Sequence, residues 1–190
     1  MYKPAVQGED GLYPQRTHND ISVMSINLLL EDEETPVIWR GPLIGDVVRQ
    51  FWTDVVWGEL DFLILDMPPG TGDVPLTVFQ TIELDGVILV TSPQELVNMV
   101  VKKAYNMART MEVPVLGVVE NMSYYECEGC GKKVELFGES RLDAVAAEMG
   151  VRALARIPLD PGLSALGDAG RLEAANVDAL ADAVEMMENL

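Results

Sequence analysis

The sequence predicts an α/β fold in which a mostly parallel sheet is covered by helices on both faces. Three apolar runs, within 61–66, 86–91 and 113–119, lack the alternation of a half-exposed strand, which is typical of strands buried on both faces. Segments with helical periodicity separate the last two runs, and strand–helix alternation favours a parallel sheet. No repeat or linker interrupts the 190 residues, so we expect a single domain over 1–190.

Each further element follows from its local pattern. Residues 1–20 show no clear periodicity and are expected to form a loop or a poorly ordered start. Ser92 and Pro93 suit a helix start, because serine accepts a hydrogen bond from a first-turn amide and proline fits the first turn. Strands are also expected at 21–27 and 151–157. Helices are expected at 43–56, 75–82, 92–111, 139–149, 162–169 and 177–187.

The composition excludes several classes of partner. The formal net charge of −18 argues against duplex DNA or an anionic membrane, because both are negatively charged. No apolar run approaches the roughly 20 residues of a membrane span, and the first ten residues lack the apolar core of a signal peptide. We therefore expect a cytoplasmic protein that binds neither nucleic acid nor membrane.

The first chemical signal lies where the run at 61–66 ends. Asp66 is followed by two prolines and two glycines, which neither helix nor strand accommodates. An acid at the carboxyl end of a parallel strand lies where open α/β sheets bind ligands, and in phosphate-transfer enzymes such an Asp holds Mg²⁺. The alternative is a tight turn in which Asp66 caps the next helix.

The second signal is the C-x-x-C pair formed by Cys127 and Cys130. Two thiolates at this spacing can bind one centre, and the small residues Gly129 and Gly131 allow backbone N–H groups to turn toward the sulfurs. A dithiol redox pair is the alternative, but it needs its first cysteine at a helix amino terminus. The glycines disfavour such a helix, and Glu126 and Glu128 are expected to raise the thiol pKa. The pattern therefore favours a metal or a cluster.

Two thiolates supply only half of a usual four-ligand site. The histidine, His18, is distant in sequence and is expected to lie at the surface. A second copy of the same loop across a two-fold axis would complete the ligand set. The expected result is a homodimer with an exposed, transferable centre at the subunit boundary, which suits a carrier.

A weaker signal comes from two other predicted strand ends. Asn121 follows one strand, and the turn Pro158–Pro161 follows another. Both are expected at the carboxyl edge of the sheet, where a side-chain amide and backbone groups could bind a base. On the residues alone, a turn and a helix cap explain them better.

Taken together, these segments resemble the Mrp/ApbC family of iron–sulfur cluster carrier ATPases, which are relatives of MinD and ParA. The segments occur in the family's order and span nearly the whole chain. They are Leu29–Pro42, Asp66–Asp73, Thr91–Gln94, Glu120–Ser123, the cysteine pair and Ile157–Pro161.

The resemblance implies a P-loop NTPase-like three-layer sandwich, a homodimer and a 4Fe–4S cluster that is bridged by two C-x-x-C pairs and delivered to apo iron–sulfur proteins. It implies that Asp66 is the catalytic acid near Mg²⁺ and ATP. The nucleotide-responsive switch would comprise Gly70, Thr71, Gly72 and Asp73. Asn121, Pro158 and Asp160 would lie near the adenine.

One departure from the family is large, because its lysine-bearing phosphate-binding loop is missing. The one Gly-Lys pair, Gly131-Lys132, lies in the cysteine loop and lacks the required spacing. That loop supplies most of the phosphate electrostatics, so we expect no ATP hydrolysis by these residues alone. The family fold also places a strand between 61–66 and 86–91 that is missing here, which indicates an N-terminally truncated chain. A separate chain carrying the loop is one way to supply it.

Three functional hypotheses remain open. The first is an iron–sulfur carrier, which the resemblance favours. The second is a zinc-knuckle dimerisation or binding module without nucleotide chemistry. The third is a dithiol oxidoreductase.

Overall fold

The computed structural model describes residues 5–30 and 41–190. The described residues divide into two compact units. The first comprises Met1–Pro68 and Gly72–Ile82, and the second Pro69–Thr71 and Glu83–Leu190. Most of the family-like segment Leu29–Pro42 lies outside the described residues.

The first unit contains two short antiparallel strand pairs and two helices. Strand β1 (Val6–Gln7) pairs with β2 (Leu12–Tyr13), and β3 (Gln15–Arg16) pairs with β4 (Ser22–Val23). The prediction of a loop over 1–20 is therefore wrong at these hairpins. The predicted strand at 21–27 is confirmed only at Ser22–Val23, because Ser25 accepts a hydrogen bond from Asn27 N and starts a 3-10 helix, Ile26–Leu29.

Helices α1 (Gly41–Thr53) and α2 (Asp73–Thr81) pack on each other in this unit. Leu12 is bonded to the segment after α1, with Leu12 N donating to Asp54 O at 2.8 Å and Val56 N to Leu12 O at 2.8 Å. The buried apolar residues include Val55, Val78 and Ile82. The helical periodicity predicted both helices to within a few residues.

The predicted strand at 61–66 is wrong. These residues form no strand, and Ile64 and Phe62 are 75% and 52% exposed. A strand is held by hydrogen bonds to a neighbour, and none of the strands in 5–30 and 41–190 pairs with this run. The run keeps the apolar composition of a buried strand without the partner that would bury it.

The second unit is built on a three-stranded parallel sheet. Its strand order is β5 (Val87–Thr91), β6 (Val115–Glu120) and β9 (Arg152–Arg156). The short strands β7 (Tyr125–Glu126) and β8 (Lys133–Val134) form an antiparallel hairpin between β6 and β9 in sequence. The helices of this unit are α3 (Glu95–Thr110), α4 (Leu142–Met149), α5 (Pro161–Asp168) and α6 (Ala181–Glu188).

Apolar residues cover both faces of this sheet, as predicted. On one face, Leu89 and Val118 pack with Val101 of α3 and Leu142 of α4. On the other face, Val119, Leu154 and Ala155 pack with Ala183 of α6. Close strand packing requires a glycine at position 117, because a Cβ there would lie 2.5 Å from Leu154 Cγ. The continuous apolar runs at 86–91 and 113–119 therefore identified two parallel strands of this sheet, the edge strand β5 and the central strand β6.

One predicted helix start is wrong. Helix α3 begins at Glu95 with Gln94 as its cap, and Ser92 lies buried before it. Among the described helices, none is both long and apolar enough to cross a membrane.

Candidate metal and nucleotide site

Cys127 and Cys130 lie at the tip of the hairpin formed by β7 and β8, here called the cysteine hairpin (125–134). Cys127 N donates to Lys132 O at 3.0 Å, which closes the loop. Gly131 N donates to Cys127 O at 2.8 Å and Cys130 N to the same oxygen at 3.3 Å. Gly131 has a φ of +66°, a left-handed conformation that glycine adopts without strain. The turn brings both sulfurs to one side of a tight loop.

The two cysteines are free thiols, Cys130 exposed and Cys127 partly so. Hydrogen bonds from Gly129 N–H, from Cys130 N–H and from the Cys130 thiol lower the pKa of Cys127 from its ordinary value, while burial and Glu128 oppose this shift. The prediction of a raised thiol pKa is therefore wrong in direction, although Glu128 acts as expected. The backbone of the turn outweighs the carboxylate because its N–H groups point directly at the sulfur.

This pKa shift gives a testable prediction for the metal-free chain. At a pH below its pKa, a thiol is mostly protonated and reacts slowly. A lowered pKa therefore keeps Cys127 reactive as the thiolate at a lower pH than an ordinary cysteine. We expect the pH midpoint of Cys127 alkylation by iodoacetamide to fall below that of an ordinary cysteine, about 8.5. Mass spectrometry of Cys130→Ala, which lacks the donor thiol, should show a higher midpoint. A midpoint unchanged by Cys130→Ala and no lower than about 8.5 would contradict the prediction.

The structure supplies no further ligands to the cysteine pair. Across residues 5–30 and 41–190, no group of three or more His, Cys, Asp or Glu side chains could hold a metal ion. A metal with four protein ligands would need donors from outside the described part of one chain.

The cysteine hairpin is joined to the carboxyl edge of the sheet by a short bonded segment. Asn121 N donates to Thr91 O at 2.8 Å, and Ser123 N donates to Ile157 O at 2.9 Å. Leu159 N, in the predicted turn Pro158–Pro161, donates to Tyr124 O at 2.7 Å. The structure thus brings the two weaker predicted elements, Asn121 and the proline turn, to neighbouring strand ends.

Within this arrangement, Asn121 and Asp160 have local roles. Asn121 Oδ1 accepts a hydrogen bond from Met122 N at 2.8 Å. Asp160 caps α5, with its Oδ1 accepting from Gly162 N at 2.7 Å. Both side chains are exposed. These are the turn and the cap that the residues alone favoured, and a contact with adenine stays a prediction.

The predicted magnesium and switch residues are also accessible. In the first unit, Asp66 is exposed, Gly72 caps α2, and Asp73 begins that helix. The alternative in which Asp66 caps the helix is therefore wrong. Gly70 has a φ of +90°, a value that favours glycine, and Thr71 is exposed. The roles of these residues toward Mg²⁺ and ATP stay predictions.

Sequence reasoning missed two polar residues beneath the hairpin. Glu120 and Ser123 are 1% and 2% exposed, and Ser123 Oγ donates to Glu120 Oε1 at 2.6 Å. The available signal was a carboxylate that directly ends an apolar strand, the same pattern as at Asp66. It also missed the Lys133 ammonium, 4.2 Å from the centroid of the Tyr124 ring, a cation–π contact across the base of the hairpin.

Comparison with known protein families and solved structures identifies the class of protein to which this fold and the cysteine hairpin belong. The ParA family model, described as NUBPL iron-transfer P-loop NTPase, matches residues 2–190. This chain belongs to that family. The cell division ATPase MinD of Pyrococcus furiosus shares the fold, with a TM-score of 0.51 at 19% identity over 79% of this chain and 59% of that one.

Particular relatives sharpen the comparison. The iron–sulfur cluster carrier proteins of Methanocaldococcus jannaschii and Saccharolobus solfataricus are 49% and 45% identical over 80% and 85% of this chain. A nucleotide-binding protein of Archaeoglobus fulgidus, solved with ADP, is 41% identical with a TM-score of 0.78, over 92% of this chain and 68% of that one. The chain covers 53% and 55% of the two carrier proteins, about half their length.

Proposed function

We propose that this chain is the cluster-binding part of an iron–sulfur carrier. Two copies would hold one cluster, a 4Fe–4S centre with Cys127 and Cys130 from each, and would deliver it to apo iron–sulfur proteins in the cytoplasm. The observation that carries the proposal is a pair of free thiols at an exposed hairpin tip, with no third ligand among the described residues. The names of the relatives, iron–sulfur cluster carrier proteins, support an iron–sulfur cluster as the bound group.

The chemistry of the pair suits an iron–sulfur cluster as transferable cargo. The Cys130 thiol hydrogen-bonds the Cys127 sulfur, so both sulfurs can reach one centre. Thiolates are the usual protein ligands of iron–sulfur clusters, and exposure gives an acceptor direct access to them. Zinc shares the thiolate preference, but the relatives named as iron–sulfur cluster carrier proteins favour a cluster over a zinc knuckle.

The nucleotide part of the proposal rests on the family and on the A. fulgidus protein with ADP. Asp66 would hold Mg²⁺, and Gly70, Thr71, Gly72 and Asp73 would respond to the nucleotide. Asn121, Pro158 and Asp160 would lie near the adenine. Another segment or a separate chain would supply the phosphate-binding loop, so ATP hydrolysis would belong to the completed protein. The proposal includes the prediction that residues 1–190 belong to a single domain.

Metal analysis after anaerobic purification tests the proposal. We expect iron and inorganic sulfide in equal amounts, with visible absorption, and half a 4Fe–4S cluster per chain at the mass of a dimer. Cys127→Ala should lose the iron, since each chain then offers one thiolate, whereas His18→Ala should retain it. Stoichiometric zinc would support the knuckle, and a reversible disulfide without metal would support the oxidoreductase. Iron unchanged in Cys127→Ala would refute the site.

A further inference from the structure

A buried acid lies beneath the cysteine hairpin and has no part in the proposed chemistry. Glu120 is the last residue of the central strand β6 and is 1% exposed. Burying a carboxyl group is costly unless hydrogen bonds compensate for the lost water. The described side-chain partner is the hydroxyl of Ser123, itself 2% exposed, with an O–O distance of 2.6 Å. Such a pair constrains the two residues between its members.

The constrained turn has an unusual backbone conformation. Met122 has a φ of +54°, a left-handed value that is uncommon for residues other than glycine and persists when its surroundings enforce it. Hydrogen bonds of Met122 and of the next residue hold this conformation. Asn121 Oδ1 accepts from Met122 N at 2.8 Å, and Ser123 N donates to Ile157 O at 2.9 Å.

This turn is the direct covalent route from the sheet edge to the cysteines. Ser123 is followed by Tyr124, whose carbonyl accepts from Leu159 N at 2.7 Å, and then by strand β7 of the hairpin. Only three residues therefore lie between Ser123 and Cys127. The direction in which the chain leaves the turn sets where the hairpin begins.

We propose that Glu120 and Ser123 are positioning residues that fix the cysteine hairpin to the carboxyl edge of the sheet. Their hydrogen bond holds the turn at Met122, so the hairpin stays in place relative to Asn121 and the turn at Pro158. Breaking the bond frees the entry strand of the hairpin and accelerates loss of whatever the cysteines hold. The effect on cluster retention rests on the proposed function, whereas the effect on the backbone does not.

The test compares three variants in the full chain. Ser123→Ala removes the donor and leaves Glu120 buried without it. Glu120→Gln keeps an oxygen that accepts from Ser123. Tyr105→Phe is the control, because it removes a different hydroxyl donor, partly buried and bonded to Met149 O at 2.5 Å, that makes no contact with Glu120 or Ser123 in this bond.

Two measurements distinguish the effect on the backbone from the effect on cluster retention. In the metal-free chain, amide hydrogen exchange at Ser123–Cys127 should accelerate about tenfold in Ser123→Ala, the size expected when a buried polar group loses its hydrogen-bond partner. In the reconstituted protein, the same variant should lose its visible absorption to an iron chelator about tenfold faster. Glu120→Gln should stay within about twofold of the wild type in both readouts, and Tyr105→Phe should match the wild type.

The outcomes are distinguishable. A wild-type chain that takes up no iron and sulfide refutes the proposed function, and the exchange data then decide the positioning role alone. Equal exchange in Ser123→Ala and wild type overturns that role. If Tyr105→Phe accelerates cluster loss as much as Ser123→Ala does, the effect is one of general stability and the positioning role is likewise overturned.

Discussion

Replacing Leu142 by alanine should lower the free energy of unfolding of the second unit by about 2–5 kcal/mol. Leu142 is 1% exposed and packs in the cluster that joins α3 and α4 to the sheet, together with Leu89, Val101 and Val118. The substitution removes buried methyl and methylene groups and leaves a cavity that the surrounding strands cannot fully close. Since a domain of this size is stable by only about 5–15 kcal/mol, the loss is a large fraction.

The chain offers a matched control for this substitution. Leu96 and Leu142 both lie in the first turn of a helix, α3 and α4 respectively. They differ in burial, because Leu96 is 76% exposed and Leu142 is 1% exposed. Leu96→Ala should therefore change the stability by no more than about 0.5 kcal/mol. Equal losses in the two variants would contradict the assigned core.

The choice of probe follows from the distribution of aromatic residues. Trp52 and Trp57 lie in the first unit, and the remaining tryptophan, Trp39, lies in the same part of the sequence. Tryptophan fluorescence therefore reports the first unit. Urea unfolding followed by far-ultraviolet circular dichroism also includes the helices of the second unit, and its transition should shift to lower urea in Leu142→Ala.

The contrast between two apolar runs shows what the sequence could predict. The run at 86–91 and the run at 61–66 have the same continuous apolar pattern, yet only the first forms a strand, Val87–Thr91. The pattern encodes which residues tolerate burial on both faces. The pattern does not show whether a neighbouring strand is available to form the backbone hydrogen bonds. The presence of such a neighbour depends on the rest of the sheet.

The cysteine hairpin shows a second limit of the sequence. The spacing of Cys127 and Cys130, with Gly129 between them and Gly131 after them, predicted that both thiols can bind one centre, and the structure places both cysteines in one tight turn. The direction of the Cys127 pKa shift was missed, because it depends on the orientation of the Gly129 and Cys130 N–H groups. Side-chain charges are visible in a sequence, whereas backbone dipoles acquire a direction only in the folded turn.

Buried polar pairs mark a third limit. Glu120 and Ser123 are three positions apart in sequence, and their hydrogen bond spans the left-handed residue Met122. Nothing in the residue types requires that backbone conformation, since methionine rarely adopts it. The acid at the strand end could be noticed, but its burial and its partner could not.

The second large effect concerns nucleotide binding. These 190 residues alone should show no saturable binding of Mg-ATP at millimolar concentration. The triphosphate would have to be held without a phosphate-binding loop, whose backbone N–H groups and lysine bind the β- and γ-phosphates in P-loop enzymes. Asp66, the proposed Mg²⁺ ligand, is exposed, and its carboxylate would repel a nucleotide that lacks the metal.

Supplying the loop should restore binding. A longer chain or a second polypeptide that carries the loop should bring the dissociation constant of Mg-ATP into the micromolar range, a gain of about 4 kcal/mol or about a thousandfold. Isothermal titration calorimetry measures both cases. In the completed protein, Asp66→Asn should weaken Mg-ATP binding more than binding of ATP in the presence of EDTA, because the carboxylate acts through the metal.

Micromolar Mg-ATP binding by these residues alone would contradict this prediction and would require a phosphate site that the sequence does not contain. Failure of the completed protein to bind would instead contradict the assignment of 66–73 to a nucleotide site. Either outcome would leave the cluster proposal standing, because that proposal rests on the free thiols of Cys127 and Cys130 and not on a nucleotide contact. Failure of the completed protein to bind would make the hairpin a cluster holder whose release is independent of ATP.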